Sequence, residues 1–285
     1  MTKIGYVTYA DNPVDPDPDL DIPVFTDALR RSGYEVDIVD WQLPFSSDSY
    51  DALLIRSTWN YAQNLEAFGS WLHEVSAQTK IINPASVIFH NLDKRYLFEL
   101  VDLGIATIPT ALIENVDQIY NIDVSTSKTV FKPVIGAGAR GAFTATGTNE
   151  AAVKVQAHFN QSDLPLLMQP YLTEVDSKGE IAVVCCNGEA LHAIVKKPAL
   201  TEGGHGDFAR NVELSSDLLQ FVGRINNYQI GDTKVKDLYY SRIDVVPTSD
   251  GFKLMELELF EPTLFLNTNP KSAEIFAAGI KAHLV

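Results

Sequence analysis

The sequence contains little cysteine, few basic residues and no long apolar run, and each shortage excludes a class of protein. Its only two cysteines, Cys185 and Cys186, are adjacent. Adjacent cysteines do not form an ordinary structural disulfide, so we interpret them as core side chains and expect a reducing compartment. The net charge of −15 argues against a nucleic-acid partner, because phosphate backbones are bound by an excess of lysine and arginine.

A membrane partner is not expected either. No apolar run approaches the roughly 20 residues of a membrane span. The N-terminal residues have the pattern of a strand, because Lys3 is followed by too short an apolar run for a signal peptide. We therefore predict a cytoplasmic protein, and its 285 residues suffice for two or three compact units.

Two common nucleotide-binding fingerprints are missing. No G-x-x-x-x-G-K-[ST] segment occurs. Gly136, Gly138 and Gly141 satisfy G-x-G-x-x-G, but that fingerprint must open a helix, and the following AFTATGT predicts the second strand of a hairpin. Such a glycine hairpin after Lys132 can cover phosphates with backbone N–H groups and Arg140. A glycine turn without a ligand is the alternative.

The strand and helix patterns predict an α/β unit followed by α+β units. Strands alternate with helices up to about Phe89, which is typical of a small parallel sheet. An Asp/Pro-rich loop at 11–23 follows the first strand and is either a substrate wall or a solvated acidic loop. Hairpins then replace parallel crossovers. We therefore divide the chain into residues 1–89, 90–169 and 170–285.

A hairpin in the segment YYSRIDVVPTSDGFKLMELELFEP carries the most informative charges. A three-residue loop, Ser249-Asp250-Gly251, places Asp244 opposite Glu256 and Arg242 opposite Glu258. Because strand side chains alternate, these four charges share one face. We expect the other face to be filled by Ile243, Val245, Met255 and Leu257. Glu261 lies beyond this register and receives no role.

Opposed carboxylates repel each other, so Asp244 facing Glu256 predicts a cation between them. All-oxygen ligation suits Mg²⁺, with Mn²⁺ as a substitute. The alternative is an Arg242–Glu258 ion pair on an exposed acidic strand face.

A second group of basic residues surrounds a glycine-containing loop. Lys196 and Lys197 end a predicted strand, and Arg210 follows the loop. The loop is either a lid that closes on phosphate or carboxylate, or a solvated loop.

In this order, the features resemble the ATP-grasp superfamily of ligases over nearly the whole chain. The shared features are an α/β N-terminal domain, a helix lysine at Lys94, an FKP lysine at Lys132 before a glycine hairpin, a linker strand MQPYL, a GE…NGE hairpin, a basic glycine loop and a terminal acidic metal site. The resemblance implies an ATP-grasp fold, α/β plus α+β. In that fold a small parallel-sheet N-terminal domain precedes two α+β subdomains that clamp ATP.

The resemblance also implies roles for individual residues. It implies that ATP is contacted by Lys94, Lys132, Gly136, Gly138, the backbone at Gln169, Tyr171 and Leu172, and Glu180 near the ribose. It implies that two Mg²⁺ ions are bound by Asp244, Glu256 and Glu258. It implies that the phosphate and the acyl phosphate are contacted by Lys197, Arg210 and Arg242.

Within the superfamily, glutathione synthetase has Glu-x-Asn where this chain has Glu256-Leu257-Glu258. The segments RSTWNY, NPASVIFHNLDKRYLFEL and MELELFEPTLFL resemble a bacterial group that contains the cyclo-ligase of D-cycloserine biosynthesis. An Asp is usual in that group where this chain has Asn60. We expect the substrate to be selected at the carboxyl end of an N-terminal strand by Arg56, Ser57, Trp59 and Asn60. Interdomain packing is the alternative for Trp59.

We therefore predict an ATP-dependent carboxylate–amine ligase that acts through an acyl phosphate on a small amino-acid-like substrate. An intramolecular cyclo-ligase of the cycloserine type is the alternative, and a non-catalytic ATP-binding module is the third hypothesis. The sequence is silent on oligomeric state, although members of the superfamily are often homodimers.

Overall fold

The computed structural model describes residues 1–9, 18–122, 128–196 and 210–284. Most of the Asp/Pro-rich loop and the predicted phosphate ligand Lys197 therefore lie outside the described residues. No helix in these ranges is long and apolar enough to cross a membrane.

The N-terminal residues form a parallel four-stranded sheet in the order β2-β1-β3-β4, which confirms the predicted α/β unit. The elements are β1 (Lys3–Thr8), α1 (Asp21–Arg31), β2 (Glu35–Asp40), β3 (Ala52–Ser57), α2 (Leu65–Ser76) and β4 (Lys80–Ile82). Every residue of β3 is buried, as expected for a central parallel strand covered on both faces.

The single helix predicted around Lys94 is wrong. A turn containing Lys94 separates α3 (Ala85–Asn91) from α4 (Tyr96–Asp102). The Asp93 carboxylate accepts a backbone N–H two residues on, and the Lys94 N–H donates to the Val134 carbonyl at 2.8 Å. This side-chain bond competes with helix formation. The result ties Lys94 to the start of the glycine hairpin.

Two larger antiparallel sheets follow, as the hairpin signals predicted, together with a two-stranded antiparallel ribbon within residues 229–234. The first has the order β5-β8-β6-β7. Its elements are β5 (Ala111–Ile113), β6 (Lys128–Pro133), β7 (Phe143–Thr146), α5 (Thr148–Phe159) and β8 (Leu166–Pro170). Because β6 pairs directly with β7 and no helix opens after the glycines, the exclusion of a dinucleotide-binding fingerprint is confirmed.

The second antiparallel sheet has the order β11-β10-β9-β14-β15. The elements of this region are α6 (Glu174–Lys178), β9 (Glu180–Cys186), β10 (Glu189–Lys196), β11 (Arg210–Val212), α7 (Ser216–Ile225), β12 (Gln229–Ile230), β13 (Thr233–Lys234), β14 (Tyr240–Thr248), β15 (Gly251–Glu258) and α8 (Pro270–Gly279). The shortest of these elements escaped prediction because two to five residues are too few to show a period. The division of the chain at residues 89 and 169 stays a prediction.

The β14–β15 hairpin pairs the expected charges through an unexpected turn. Asp244 lies opposite Glu256 and Arg242 opposite Glu258, as predicted. The loop itself, however, has two residues, Ser249-Asp250, because Thr248 pairs with Gly251. The predicted three-residue loop is therefore wrong.

A β-bulge at Met255 explains why the charge pairs are nevertheless as predicted. Asp244 pairs with Glu256 while Val245 pairs with Leu254, so Met255 is the extra residue of β15. The two-residue turn shifts the pairing by one residue relative to the predicted three-residue loop, and the bulge shifts it back by one residue. It also means that Leu254, not Met255, joins the core opposite Val245, whereas Met255 packs in a separate small cluster.

The outer edge of β15 is held by side chains from α3 and α4. The Asn91 amide donates to the Leu257 carbonyl at 2.9 Å and accepts the Leu259 N–H at 2.8 Å. The Tyr96 hydroxyl accepts the Leu257 N–H at 2.9 Å. An edge strand with satisfied backbone groups is fixed in place, and this fixes the acidic face that it carries.

The parallel sheet packs directly against the second antiparallel sheet. One hydrophobic cluster contains Ile4 and Leu54 from the former and Val184, Tyr240 and Phe276 from the latter region, all of them buried. This shared core brings the carboxyl end of β3 to the segment that follows β15.

Candidate active site

One face of the sheet formed by β9, β10, β14 and β15 carries most of the charged side chains that the sequence singled out. Two lysines approach the same face from the α3–α4 turn and from β6. The full set is Lys94, Lys132, Glu180, Lys196, Arg242, Asp244, Glu256, Glu258 and Glu261. The face is charged because the period of two places alternate residues of each strand on it.

Arg242 holds two of the carboxylates. Its Nε and Nη2 donate to the two oxygens of Asp244 at 2.9 and 2.8 Å, and Nη2 also donates to Glu258 Oε1. Burial alone raises the pKa of Asp244, but the attraction of Arg242 and Lys196 outweighs it and holds the pKa below its ordinary value. Asp244 is therefore ionised at neutral pH.

Lys196 completes this ion-pair network, and the residue assignment from sequence missed it. Its Nζ lies 2.8 Å from both Glu180 Oε1 and Asp244 Oδ2. Lys197, which the resemblance assigned to phosphate, lies outside the described residues. A β-bulge in β10 between Ala190 and His192 shifts the register of the β9–β10 hairpin by one. Lys196 therefore lies opposite Glu180. Without the bulge, the register of the residues next to the turn would place Val195 opposite Glu180.

The remaining two lysines surround Glu256. Lys94 Nζ lies 3.3 Å from Glu256 Oε1 and donates to the Gly136 carbonyl, whereas Lys132 Nζ donates to the bulge carbonyl of Met255 at 3.4 Å. Burial lowers the pKa of Lys132, with Glu256 opposing this shift and Lys94 adding to it. Although burial disfavours its charge, Glu256 has a lowered pKa because Lys94 and Lys132 attract it.

The other two carboxylates of β15 and its extension are held less favourably. Burial, together with the repulsion of Asp244 and Glu256, raises the pKa of Glu258 to about 7 in spite of Arg242. Arg242 donates two hydrogen bonds to Asp244 and one to Glu258. This difference contributes to the lowered pKa of Asp244 and the raised pKa of Glu258. Burial and the charge of Glu258 raise the pKa of Glu261 well above its ordinary value.

The predicted metal ligands share a face but are not arranged around a single point. Within the described ranges no three His, Cys, Asp or Glu side chains converge closely enough to hold a metal ion as they stand. Asp244, Glu256 and Glu258 instead direct oxygens to Arg242, Lys196 and Lys94. Their chemistry still fits Mg²⁺, which prefers carboxylate oxygens.

The glycine hairpin reaches from the lysines to the N-terminal sheet. Gly138 and Ala139 have φ values of 59° and 58°, so the tip is a tight left-handed turn. Gly136 accepts the bond from Lys94, and Arg140 Nη1 donates to the Trp59 carbonyl at 3.4 Å. The hairpin therefore covers the charged face, although phosphate contacts at Gly136 and Gly138 stay a prediction.

The residues predicted to hold adenosine lie together at the end of β8. The Gln169 side chain is buried and donates to Thr110 Oγ1 at 2.9 Å. The Tyr171 N–H donates to the Lys128 carbonyl at 2.9 Å, so this amide is engaged within the protein. Leu172 packs beside Met255 on an apolar cluster that is suited to one face of a purine. Glu180 forms an ion pair with Lys196, and its contact with the ribose stays a prediction.

Two of the predicted substrate residues are deeply buried. Arg56 is only 1% exposed, donates from Nη2 to the Pro262 carbonyl, and lies over the ring of Tyr240 at 4.9 Å. Ser57 is buried as well and donates to Thr8 Oγ1 at 2.8 Å. The Arg56 bond attaches β3 to the segment after β15, whereas the Ser57 bond joins β3 to β1.

Trp59 and Asn60 also have intramolecular partners. Trp59 Nε1 donates to the Glu261 carbonyl at 2.8 Å, and the Asn60 oxygen accepts from Trp41 Nε1 at 2.7 Å. Arg210 lies apart from this region. It is exposed on β11 and pairs with Val195, which is on the opposite face of the sheet from Lys196. The substrate and phosphate roles of these residues stay predictions.

These features define a class of protein. Residues 98–271 match the family described as prokaryotic glutathione synthetase, ATP-grasp domain, and the chain belongs to this ATP-grasp family of ligases. Residues 4–83 match a second family model, the N-terminal domain of the D-cycloserine synthetase DcsG.

Individual relatives agree with both matches. The chain is 26% identical to the cycloserine biosynthesis protein DcsG of Streptomyces lavendulae, over 93% of this chain and 94% of that protein. The crystal structure of D-cycloserine synthetase DcsG superimposes with a TM-score of 0.89 at 24% identity, over 99% of this chain and 100% of that one. The crystal structure of a RimK domain protein ATP-grasp from Sphaerobacter thermophilus superimposes with a TM-score of 0.69 at 14% identity, over 100% of this chain and 99% of that one. The ATP-grasp fold is thus shown across the chain.

Proposed function

We propose that this protein is an ATP-dependent ligase that activates the carboxylate of a small amino-acid-like substrate as an acyl phosphate and then joins it to an amine. The observation that carries the proposal is the buried ion-pair network of Lys94, Lys132, Lys196 and Arg242 with acidic residues beneath the glycine hairpin of an ATP-grasp chain. Clustered cations of this kind neutralise phosphate charge.

No covalent nucleophile is required for this chemistry. Cys185 and Cys186 are buried, and burial raises the pKa of both thiols to about 12. A thiol that stays protonated is a poor nucleophile. The protein therefore contributes positioning and electrostatic stabilisation.

Lys94, Lys132 and Arg242 neutralise negative charge at different points of the proposed reaction. ATP, when bound with Mg²⁺, supplies the phosphoryl group and leaves as ADP. Lys94 and Lys132 neutralise phosphate oxygens from the hairpin side. Arg242 is fixed by Asp244 and Glu258, and so offers a preorganised positive charge to the phosphoryl group as it is transferred to the carboxylate.

Mg²⁺ would be held by Asp244, Glu256 and Glu258, and two ions with Mn²⁺ as a substitute are part of the proposal. The same carboxylates form ion pairs with Lys196, Arg242 and Lys94 in the structure. Lysine and metal therefore compete for the same oxygens.

Two kinds of ligation remain. In the first, the amine belongs to a separate molecule. In the second, the reaction is an intramolecular ring closure of the cycloserine type, in antibiotic biosynthesis. The match of residues 4–83 to the DcsG N-terminal domain favours the second kind, because in our proposal this unit selects the substrate.

The test is release of ADP and phosphate in the presence of Mg²⁺ and a panel of amino acids and ureido compounds. We expect turnover with at least one of them, and a loss of about a hundredfold or more in Glu256→Ala, because Glu256 pairs with Lys94 and would hold Mg²⁺. Glu66→Gln, an exposed glutamate on α2, is the matched control and should be as active as wild type. If the whole panel gave no ADP above background, the chain would be an ATP-binding module and not a ligase.

Mass spectrometry of the product separates the two kinds of ligation. A cyclised product contains atoms of one substrate molecule only, and its mass is at most that of the substrate less one water. An intermolecular product contains the atoms of two.

A further inference from the structure

Glu261 is a buried carboxylate that the proposed reaction does not use. It follows β15 and is only 9% exposed. Its backbone carbonyl accepts a hydrogen bond from Trp59, but across the described parts of the chain no donor or cation is bound to its side-chain oxygens. Burying a carboxylate without a partner lowers the stability of the fold. Such groups are therefore candidates for binding a ligand or taking part in a reaction.

Its position lies between the substrate side and the phosphate side of the site. Trp59, at the end of β3, contacts its backbone from the N-terminal sheet. Arg140 of the glycine hairpin contacts the Trp59 carbonyl. Glu258, Glu256 and Lys94 act on it from the charged face. A small molecule bound between the N-terminal sheet and the charged face would therefore meet Glu261.

The charge balance of the site calls for a further cation there. Among the described residues, the charged face holds five carboxylates, those of Glu180, Asp244, Glu256, Glu258 and Glu261, whereas Lys94, Lys132, Lys196 and Arg242 supply four cations. The four cations bind or approach the first four carboxylates, and Glu261 is the one left over. Burial and the charge of Glu258 raise the pKa of Glu261, and a cation bound beside its carboxylate would stabilise the ionised form.

The surroundings favour an organic cation over a metal ion. Trp59, which binds the Glu261 carbonyl through Nε1, has its ring beside that of Tyr9 with centroids 6.4 Å apart. Aromatic faces stabilise ammonium groups through cation–π contacts, whereas Mg²⁺ demands several oxygen ligands.

We propose that Glu261 binds the protonated amino group of the substrate, so that the enzyme selects carboxylates that carry an ammonium group over plain carboxylic acids. This inference rests on the proposed ligase function, since it assigns the substrate subsite of that reaction. Glu261 would hold the amino group while the carboxylate of the same molecule faces Arg242 and the γ-phosphate.

The experiment measures binding without turnover. Wild-type protein and Glu261→Gln are saturated with Mg²⁺ and a non-hydrolysable ATP analogue. D-serine, L-serine and their des-amino counterpart 3-hydroxypropionate are then titrated and followed by calorimetry. We expect at least one serine enantiomer to bind wild type at least tenfold more tightly than 3-hydroxypropionate. We also expect Glu261→Gln to lose about tenfold or more for that serine and to leave 3-hydroxypropionate unchanged, as removal of a charge-assisted hydrogen bond requires.

Two further variants keep the test decisive. Glu66→Gln should bind both probes as wild type does. Glu261→Asp keeps the charge and should bind the serine more tightly than Glu261→Gln does. This comparison holds even if both variants have lower melting temperatures than wild type. Equal serine affinity in wild type and Glu261→Gln, equal affinity of the Asp and Gln variants, or no preference of wild type for either serine would each overturn the proposal.

The outcomes also separate this inference from the ligase function. If serine binds through Glu261 but no substrate releases ADP, the ligase proposal fails while the ammonium subsite stands. If ADP release proceeds equally well with a des-amino carboxylate and in Glu261→Gln, the ligase stands and the subsite is refuted.

Discussion

Replacing Lys196 by methionine tests the ion-pair network that the fold builds around Asp244. Lys196 binds Glu180 and Asp244 at 2.8 Å each, and the three side chains are 21%, 14% and 1% exposed. Removing one partner of a buried pair costs about 3–5 kcal/mol, because it leaves an uncompensated charge. The partial exposure of Lys196 and the remaining contact of Asp244 with Arg242 place the expected loss at about 3 kcal/mol.

A loss of this size is easily measured. For a chain of this length each kcal/mol lowers the melting temperature by roughly 2–4 °C, so Lys196→Met should melt roughly 6–12 °C below wild type. Urea unfolding should report the same decrease in the free energy of unfolding. Lys271→Met, which replaces an exposed lysine on α8, is the matched control and should melt with wild type.

The same network also predicts how the stability of wild type and of Lys196→Met changes with pH. The two cations hold the pKa of Asp244 below its ordinary 3.8, so their stabilisation is present above about pH 4 and is lost as the pH falls. Lys196→Met should therefore lose less stability on acidification than wild type. Glu180→Gln should rescue part of the loss in the double variant, because it removes the carboxylate left without a partner. If Lys196→Met melted within about 2 °C of wild type, or if Glu180→Gln gave no rescue, the network would not stabilise the fold as argued.

Two further predictions concern β15. The folded-state pKa of Glu258, about 7, lies above the 4.5 of an unfolded glutamate. Wild type should thus lose up to about 3 kcal/mol of stability between pH 4.5 and 7, and Glu258→Gln should abolish that slope in urea unfolding at several pH values; an unchanged slope would contradict the assigned pKa. Asn91→Leu should cost about 2–4 kcal/mol, because it leaves the Leu257 carbonyl and the Leu259 N–H buried without partners. Denaturant unfolding measures this cost, and a loss below about 1 kcal/mol would show that β15 does not depend on α3.

Much of the fold followed from local patterns. The parallel sheet and the glycine hairpin were predicted because alternation and turn chemistry act within a few residues. The same period grouped Arg242, Asp244, Glu256 and Glu258 on one face. The pairing was right only because a two-residue turn and a bulge cancel each other, and neither is visible in the alternation of side chains.

Features of the site that depend on distant segments were not accessible in this way. Lys94 lies in a turn rather than a helix because its N–H bonds to Val134, forty residues away in sequence. Lys196 was missed as a network member because a bulge in β10 shifts it opposite Glu180. The burial of Arg56 results from packing against Tyr240 and Pro262, which nothing near β3 indicates.

The sequence by itself determined which side chains can share a face, because strand alternation and turn chemistry are local and are written in consecutive residues. Only the tertiary structure decided which charges meet, because the free energy of a buried charge depends on partners from other strands and on exclusion of water. Glu261 shows the difference. Its place after an acidic strand was plain from the sequence, but its burial without a partner between the N-terminal sheet and the charged face arises only when the two sheets pack together.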